Sequence, residues 1–298
     1  MNGFDEQSSE ADAIDALSAG AIPPDPAIPV ARPITQNAPP AAIQVGDPFR
    51  LSMTRTSAWL DMGALILCLA GFRIVAEIGL ARASPLLGLV PSGAAMDSVE
   101  VRRAVVVPVL FVSALATCVI VGAILRYRRQ AWASVGLTRR NMGSSILVGL
   151  GATGAAYLLI GAALLVMTLV SPSFTEGMHQ NATNLISVIP KMSPAVLLLV
   201  SLAVGYYEEL LFRGFLMTRL RRCTGSWIAA VVLSTALFTS LHASVQIGPA
   251  LIFISILSLV LSVVTIWRRS LLPAIVTHAS FDFSQFLLLY YTSGDAWK

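Results

Sequence analysis

From residue 57 onward the chain is a succession of apolar stretches, near 57–80, 104–126, 143–170, 194–220, 226–245, 248–267 and 270–291. Each approaches or exceeds the roughly 20 residues a helix needs to cross the hydrocarbon of a bilayer. Lipid offers no hydrogen bonds to the backbone, so such runs satisfy their own N–H and C=O groups as helices. The expected fold is all-α: a polytopic membrane helix bundle of about seven transmembrane helices, six to eight if one stretch is misjudged. The first stretch is the least regular, because Asp61, Arg73 and Glu77 interrupt it.

Composition supports this class. Only 12% of residues are charged and 56% are hydrophobic, against about 25% charged in an ordinary soluble domain. Residues 1–50 differ: seven acids stand against two arginines in an Ala- and Pro-rich run with no helical or strand period. Such a segment has too little apolar surface to bury a core and reads as a disordered tail. It is not a signal peptide, since it opens acidic and no apolar run follows directly. Three units result: the tail 1–50, a first set of spans with an interfacial loop over 51–193, and a polar-bearing core of spans over 194–298. Within the loop 171–193, the amphipathic run NLISVIPKM suits the membrane interface.

The remaining positive charge sits in short loops. Arg126, Arg128, Arg129, Arg139 and Arg140 lie between spans two and three, Arg219, Arg221 and Arg222 after span four, and Arg268 and Arg269 after span six. All fall on one side, which the positive-inside rule makes cytoplasmic, with the tail on that side; Arg102 and Arg103 fall opposite. A bacterial inner membrane is the expected location. No basic surface is interleaved with exposed aromatics, so nucleic acid is not an expected partner. The lipid bilayer is one, and the pattern sets no oligomeric state. Cys68, Cys118 and Cys223 are too scattered for a disulfide framework and read as small core residues. Gly149, Gly151, Gly154 and Gly161 on span three suggest close helix approach.

Against this apolar background, Glu208, Glu209 and Arg213 stand in span four, His242 in span five, and His278 and Asp282 in span seven. Ionised groups at membrane depth cost about 2.5–3.5 kcal/mol each on insertion scales and mark internal polar sites. Spans four and five meet at the turn Cys223-Thr224-Gly225, so they form an antiparallel hairpin. From that turn Glu208 lies roughly 20 Å away and His242 roughly 24 Å, while His278 and Asp282 lie roughly 13–20 Å beyond Arg269. Three helices can thus deliver carboxyl and imidazole groups to one layer. Glu209 and Arg213, Phe238 and His242, and His278 and Asp282 are i,i+4 pairs, each sharing a helix face.

Glu208-Glu209-Leu-Leu-Phe-Arg213 resembles the EExxxR motif of the CAAX prenyl endopeptidase and bacteriocin-processing family, also called Abi or CPBP. Phe238-Thr-Ser-Leu-His242 is similar to its FxxxH motif and His278-Ala-Ser-Phe-Asp282 to its HxxxN or HxxxD motif. The resemblance covers residues 194–291. It implies an intramembrane endopeptidase acting on a peptide or membrane-protein substrate, prenylated or not. By that resemblance Glu208 activates a water, Glu209 and Arg213 hold the constellation, and His242 positions the water. His278 and residue 282 would then polarise the scissile carbonyl and steady the oxyanion. The prenyl-protease members have Asn where this chain has Asp282, and an ionised Asp donates no hydrogen bond. Asp282 would rather orient His278 or keep it protonated.

No cofactor is required on this reading. A zinc ion on Glu208, His242 and His278 is the alternative, although the HExxH signature is missing. Two other functions stay open: a non-enzymatic immunity or scaffold protein using the same fold, and a proton-coupled carrier, which the missing inverted repeat disfavours. Singly, each pair also reads as structural: an ion pair that helps a span insert, or a hydrogen-bonded core histidine.

Overall fold

Short hydroxyl side chains start several of the helices. Thr54 Oγ1 accepts from the Ser57 backbone N–H, Ser193 Oγ from Val196 and Ser226 Oγ from Ala229. Each satisfies one of the N–H groups that a helix start leaves unpaired. In this computed structural model the chain is described over 51–90, 99–139, 141–171, 192–243 and 248–292, with Phe49, Gln246 and a few positions between 174 and 181. The acidic tail, His179 and nearly all of the NLISVIPKM run lie outside the described residues.

The described chain is helical, with no strand among the described residues. We label the helices α1 (Arg55–Ala83), α2 (Val99–Tyr127), α3 (Met142–Val170), α4 (Pro194–Thr224), α5 (Trp227–His242), α6 (Gly248–Arg268) and α7 (Leu272–Thr292). Among the described residues, six are long and apolar enough to cross a membrane. The exception is α5, whose 16 residues span roughly 24 Å, short of the ~30 Å hydrocarbon layer. The sequence pattern runs this span to residue 245, but the helix ends at His242. That histidine therefore closes the helix rather than sitting within a span.

Many large apolar side chains face outward, including Leu67, Leu158, Leu169, Val170 and Ile228, as a lipid-facing surface requires. Of the three cysteines only Cys223 is buried; Cys68 is exposed and Cys118 half-buried. The α4–α5 turn forms where expected. Gly225 takes φ 76°, and its N–H closes α4 on the Arg221 carbonyl, the left-handed helix stop that glycine permits without strain.

Helix α7 packs against α3, α4 and α6, and α5 joins the other side of α4 and α6. Two glycines set how near α7 comes. A Cβ at Gly149 of α3 would lie 2.7 Å from the Pro273 carbonyl oxygen and from Val276 Cβ. One at Gly205 of α4 would lie 3.0 Å from the Ala279 nitrogen. Gly151, Gly154 and Gly161 have no neighbour within 4 Å, so only one of the four span-three glycines works as expected.

At the arginine-rich end, Arg128 donates to Asp61 Oδ1 from Nε at 2.8 Å and from Nη2 at 2.7 Å. Arg219 donates to Gln130 Oε1 at 2.8 Å, its guanidinium carbon 3.8 Å from the centre of the Phe215 ring. These bonds tie α1, the end of α2 and α4 at one level. Asp61 holds the Arg128 guanidinium above its usual basicity, because the paired carboxylate favours the charged form.

Gly149→Leu should push α3 off α7 and lower stability by about 1–3 kcal/mol, the usual cost of overpacking. Gly154→Leu should be neutral. Thermal unfolding of the purified protein in nanodiscs measures both.

Candidate active site

The polar layer begins where α4 changes its winding. Leu210–Leu216 is π-helical, directly after Glu208 and Glu209, and it contains Arg213. A π turn leaves backbone carbonyls poorly placed and recurs at functional sites. Side chains support it here: Ser234 of α5 donates to the Phe212 carbonyl at 3.3 Å. Thr218 donates to the Gly214 and Phe215 carbonyls at 2.7 and 2.9 Å.

Arg213 and Glu209 are both fully buried, and Arg213 Nη1 donates to Glu209 Oε1 at 2.6 Å. The other amino group of Arg213 donates to Ser258 Oγ of α6 at 2.8 Å, and Ser258 in turn donates to Thr235 Oγ1 of α5 at 3.0 Å. The Phe238 ring lies 4.5 Å beneath the guanidinium carbon, a cation–π contact that desolvation strengthens. One cation is thereby held from three helices.

Glu209 Oε1 also accepts from His278 Nδ1, at 2.8 Å. This bond fixes the ring so that Nε2 faces outward, 3.5 Å from Asp282 Oδ2 and 3.8 Å from Glu208 Oε2. These are ion-pair distances rather than well-formed hydrogen bonds. A lone pair on Nε2 facing two carboxylate oxygens would be repelled, whereas an N–H at that position suits them. Glu208 Oε1 accepts from the Tyr207 hydroxyl at 3.1 Å, whereas its Oε2 is buried and has no hydrogen-bond partner.

His242 stands at the edge of this layer. Its Nδ1 is 2.8 Å from the Phe238 carbonyl and its ring is 4.6 Å from the Phe238 ring. The same Phe238 ring is 6.0 Å, centre to centre, from that of His278. Of the sequence-derived set, Glu208, Glu209, Arg213, His278 and Asp282 thus meet directly. His242 joins through Phe238 and lies within electrostatic reach of Asp282.

A zinc ion on Glu208, His242 and His278 requires all three to converge on one point. Among the described residues no three His, Cys, Asp or Glu side chains are placed to share a metal ion.

Residues 190–284, about a third of the chain, match the Rce1-like family of type II CAAX prenyl endopeptidases. Over this segment the chain is similar to that protease family. No curated protein and no solved structure matches the chain. The Rce1-like segment contains all six sequence-derived site residues, whereas α1 to α3 lie before it. The chain as a whole is an integral membrane protein that resembles a protease family over this segment.

Sequence reasoning passed over Ser258, Thr235 and Tyr207. Ser255, Ser258, Ser262 and Thr265 recur at helical spacing on α6, and Ser255 pairs with Thr239 of α5 at 3.0 Å. Such a hydroxyl stripe in an apolar helix signals interhelical hydrogen bonding, and it could have pointed to the partner of Arg213.

Arg213→Met should cost about 3–5 kcal/mol, because it strands the buried Glu209 carboxylate. Ser258→Ala should cost about 1 kcal/mol. Adding Glu209→Gln to Arg213→Met should recover part of the loss. Thermal unfolding across this double-mutant cycle reads the coupling directly.

Proposed function

We propose that the protein is a membrane-embedded endopeptidase in which Glu208 activates a water for attack on a peptide carbonyl. The observation that carries this reading is the buried, unpartnered Oε2 of Glu208 opposite His278 Nε2 at 3.8 Å. A carboxylate oxygen with no protein partner is free to take a proton from a bound water. An imidazole N–H across from it is suited to the carbonyl oxygen that gains charge.

The water oxygen forms the new C–O bond while Glu208 takes its proton. The carbonyl oxygen becomes an oxyanion against His278 Nε2–H. Collapse breaks the C–N bond, and Glu208 returns the proton to the leaving nitrogen, giving a carboxylic acid and an amine. Glu209, held by Arg213, orients His278 through Nδ1, so both are positioning residues. Asp282, 3.5 Å from Nε2, favours the protonated ring; it supplies no N–H of its own. His242 borders the water position. The arginine-rich helix ends support a cytoplasmic placement of that end and of the tail in a bacterial inner membrane.

Glu208→Gln keeps the volume and removes the base. It should lower turnover about 10²- to 10⁴-fold, the usual contribution of a general base, with folding unchanged. Comparing new peptide N-termini in membranes of cells carrying the native protein or Glu208→Gln measures this. Identical profiles would favour a scaffold or immunity role instead. Activity that disappears on chelation and returns with zinc would replace the metal-free mechanism.

A further inference from the structure

Outside the Rce1-like segment, two charged pairs take no part in the site described above: Asp61–Arg128 at the arginine-rich end, and a second further along α1. On α1, Arg73 Nε donates to Glu77 Oε1 at 2.8 Å, with the two side chains 68% and 47% exposed. The helix around them is otherwise apolar and long enough to cross a membrane.

The bonds of Arg128 to Asp61 and of Arg219 to Gln130 set α1 and α4 at a common level. Arg73 lies twelve residues beyond Asp61, and Glu208 lies eleven before Arg219. At 1.5 Å per residue these are roughly 18 Å and roughly 16 Å, so both groups occupy one layer. They also share a side. Leu65 and Leu69 pack on a cluster containing Tyr206, Leu210 and Phe215, and Arg73 follows Leu69 by one helical turn on the same face. Tyr207, whose hydroxyl bonds Glu208, is within electrostatic reach of Arg73.

Between residues 70 and 75 every residue of α1 is exposed, so its inward stripe loses its cover at Arg73. An open ion pair at this depth is costly against acyl chains. It is not costly where the pair faces a polar space. Lipid phosphates lie at the membrane surface, too shallow for this layer. Only Nε of Arg73 is engaged; among the described residues its two terminal amino groups make no hydrogen bond. A guanidinium edge of that kind suits a carboxylate.

We propose that Arg73 recognises a carboxylate of the peptide substrate, either its free C-terminus or an Asp or Glu side chain, and that Glu77 holds the guanidinium until substrate arrives. This rests on the peptidase reading of the site. It makes α1, which lies outside the family segment, the source of a specificity residue.

The test uses the full chain in nanodiscs with N-terminally acylated random decapeptides, made as C-terminal acids and as C-terminal amides. Products are identified by mass spectrometry. Cleaved peptides should carry a carboxylate at a fixed distance from the cut. Loss of cleavage in the amide set assigns the C-terminus, and retained cleavage with Asp or Glu at one position assigns a side chain. Arg73→Gln should raise KM about 10-fold or more with kcat nearly unchanged, the signature of lost uniform binding; Arg73→Lys should recover part. No carboxylate preference, or an unchanged KM, overturns the proposal. Independently, Arg73→Cys in a cysteine-free background should react with a membrane-impermeant charged thiol reagent, while Val75→Cys on the opposite face should not. An unreactive Arg73→Cys also overturns it. If Arg73→Cys reacts but the native protein cleaves no peptide, the peptidase reading falls first and takes this inference with it.

Discussion

The Glu209–Arg213 pair is the interaction on which the rest of the site depends. Both side chains are sealed from solvent, and a buried ion pair seldom repays its desolvation through Coulomb attraction alone. Here further contacts help. Ser258, Thr235 and Phe238 satisfy or cover the guanidinium, while His278 shares the carboxylate. The result is less a stabilising bond than a registration device. It fixes α4, α5, α6 and α7 relative to one another, and with them the direction of His278 Nε2.

That registration needs close packing as well as charge. Gly205 lets α7 approach α4 closely enough for His278 to reach Glu209, and Gly149 does the same on the α3 side. The π-helical stretch in α4 changes the angular relation between Glu208 and the residues after Arg213. Its displaced carbonyls are then taken up by Ser234 and Thr218. Small residues and short hydroxyls supply this precision in a bundle where lipid is as apolar as the helix faces, so burial alone cannot choose the packing.

The other end of the bundle is organised separately. Asp61, Arg128, Gln130 and Arg219 form a polar layer that aligns α1 with α4. Further along, α1 presents the Arg73–Glu77 pair, level with Glu208 by helix rise. The helices that precede the Rce1-like segment thus carry a charged pair of their own, joined to Glu208 by the inference above.

By itself the sequence determined the membrane class, the helical rods and the common level of Glu208, Glu209, His278 and Asp282. Those follow from hydrophobic run length, from the tight turn at Gly225 and from a fixed rise per residue. It also determined which pairs share a helix face, because i,i+4 spacing is local. Only the tertiary structure decided which group meets which. His278 turned to Glu209 through Nδ1, His242 came to close α5 against Phe238, and Ser258 became the partner of Arg213. Those outcomes depend on helix rotation, on a π turn that hydropathy does not reveal, and on glycine contacts between helices distant in sequence. In an apolar solvent, periodicity fixes which residues must be inside a span, but only packing fixes the angle at which each one enters the shared layer.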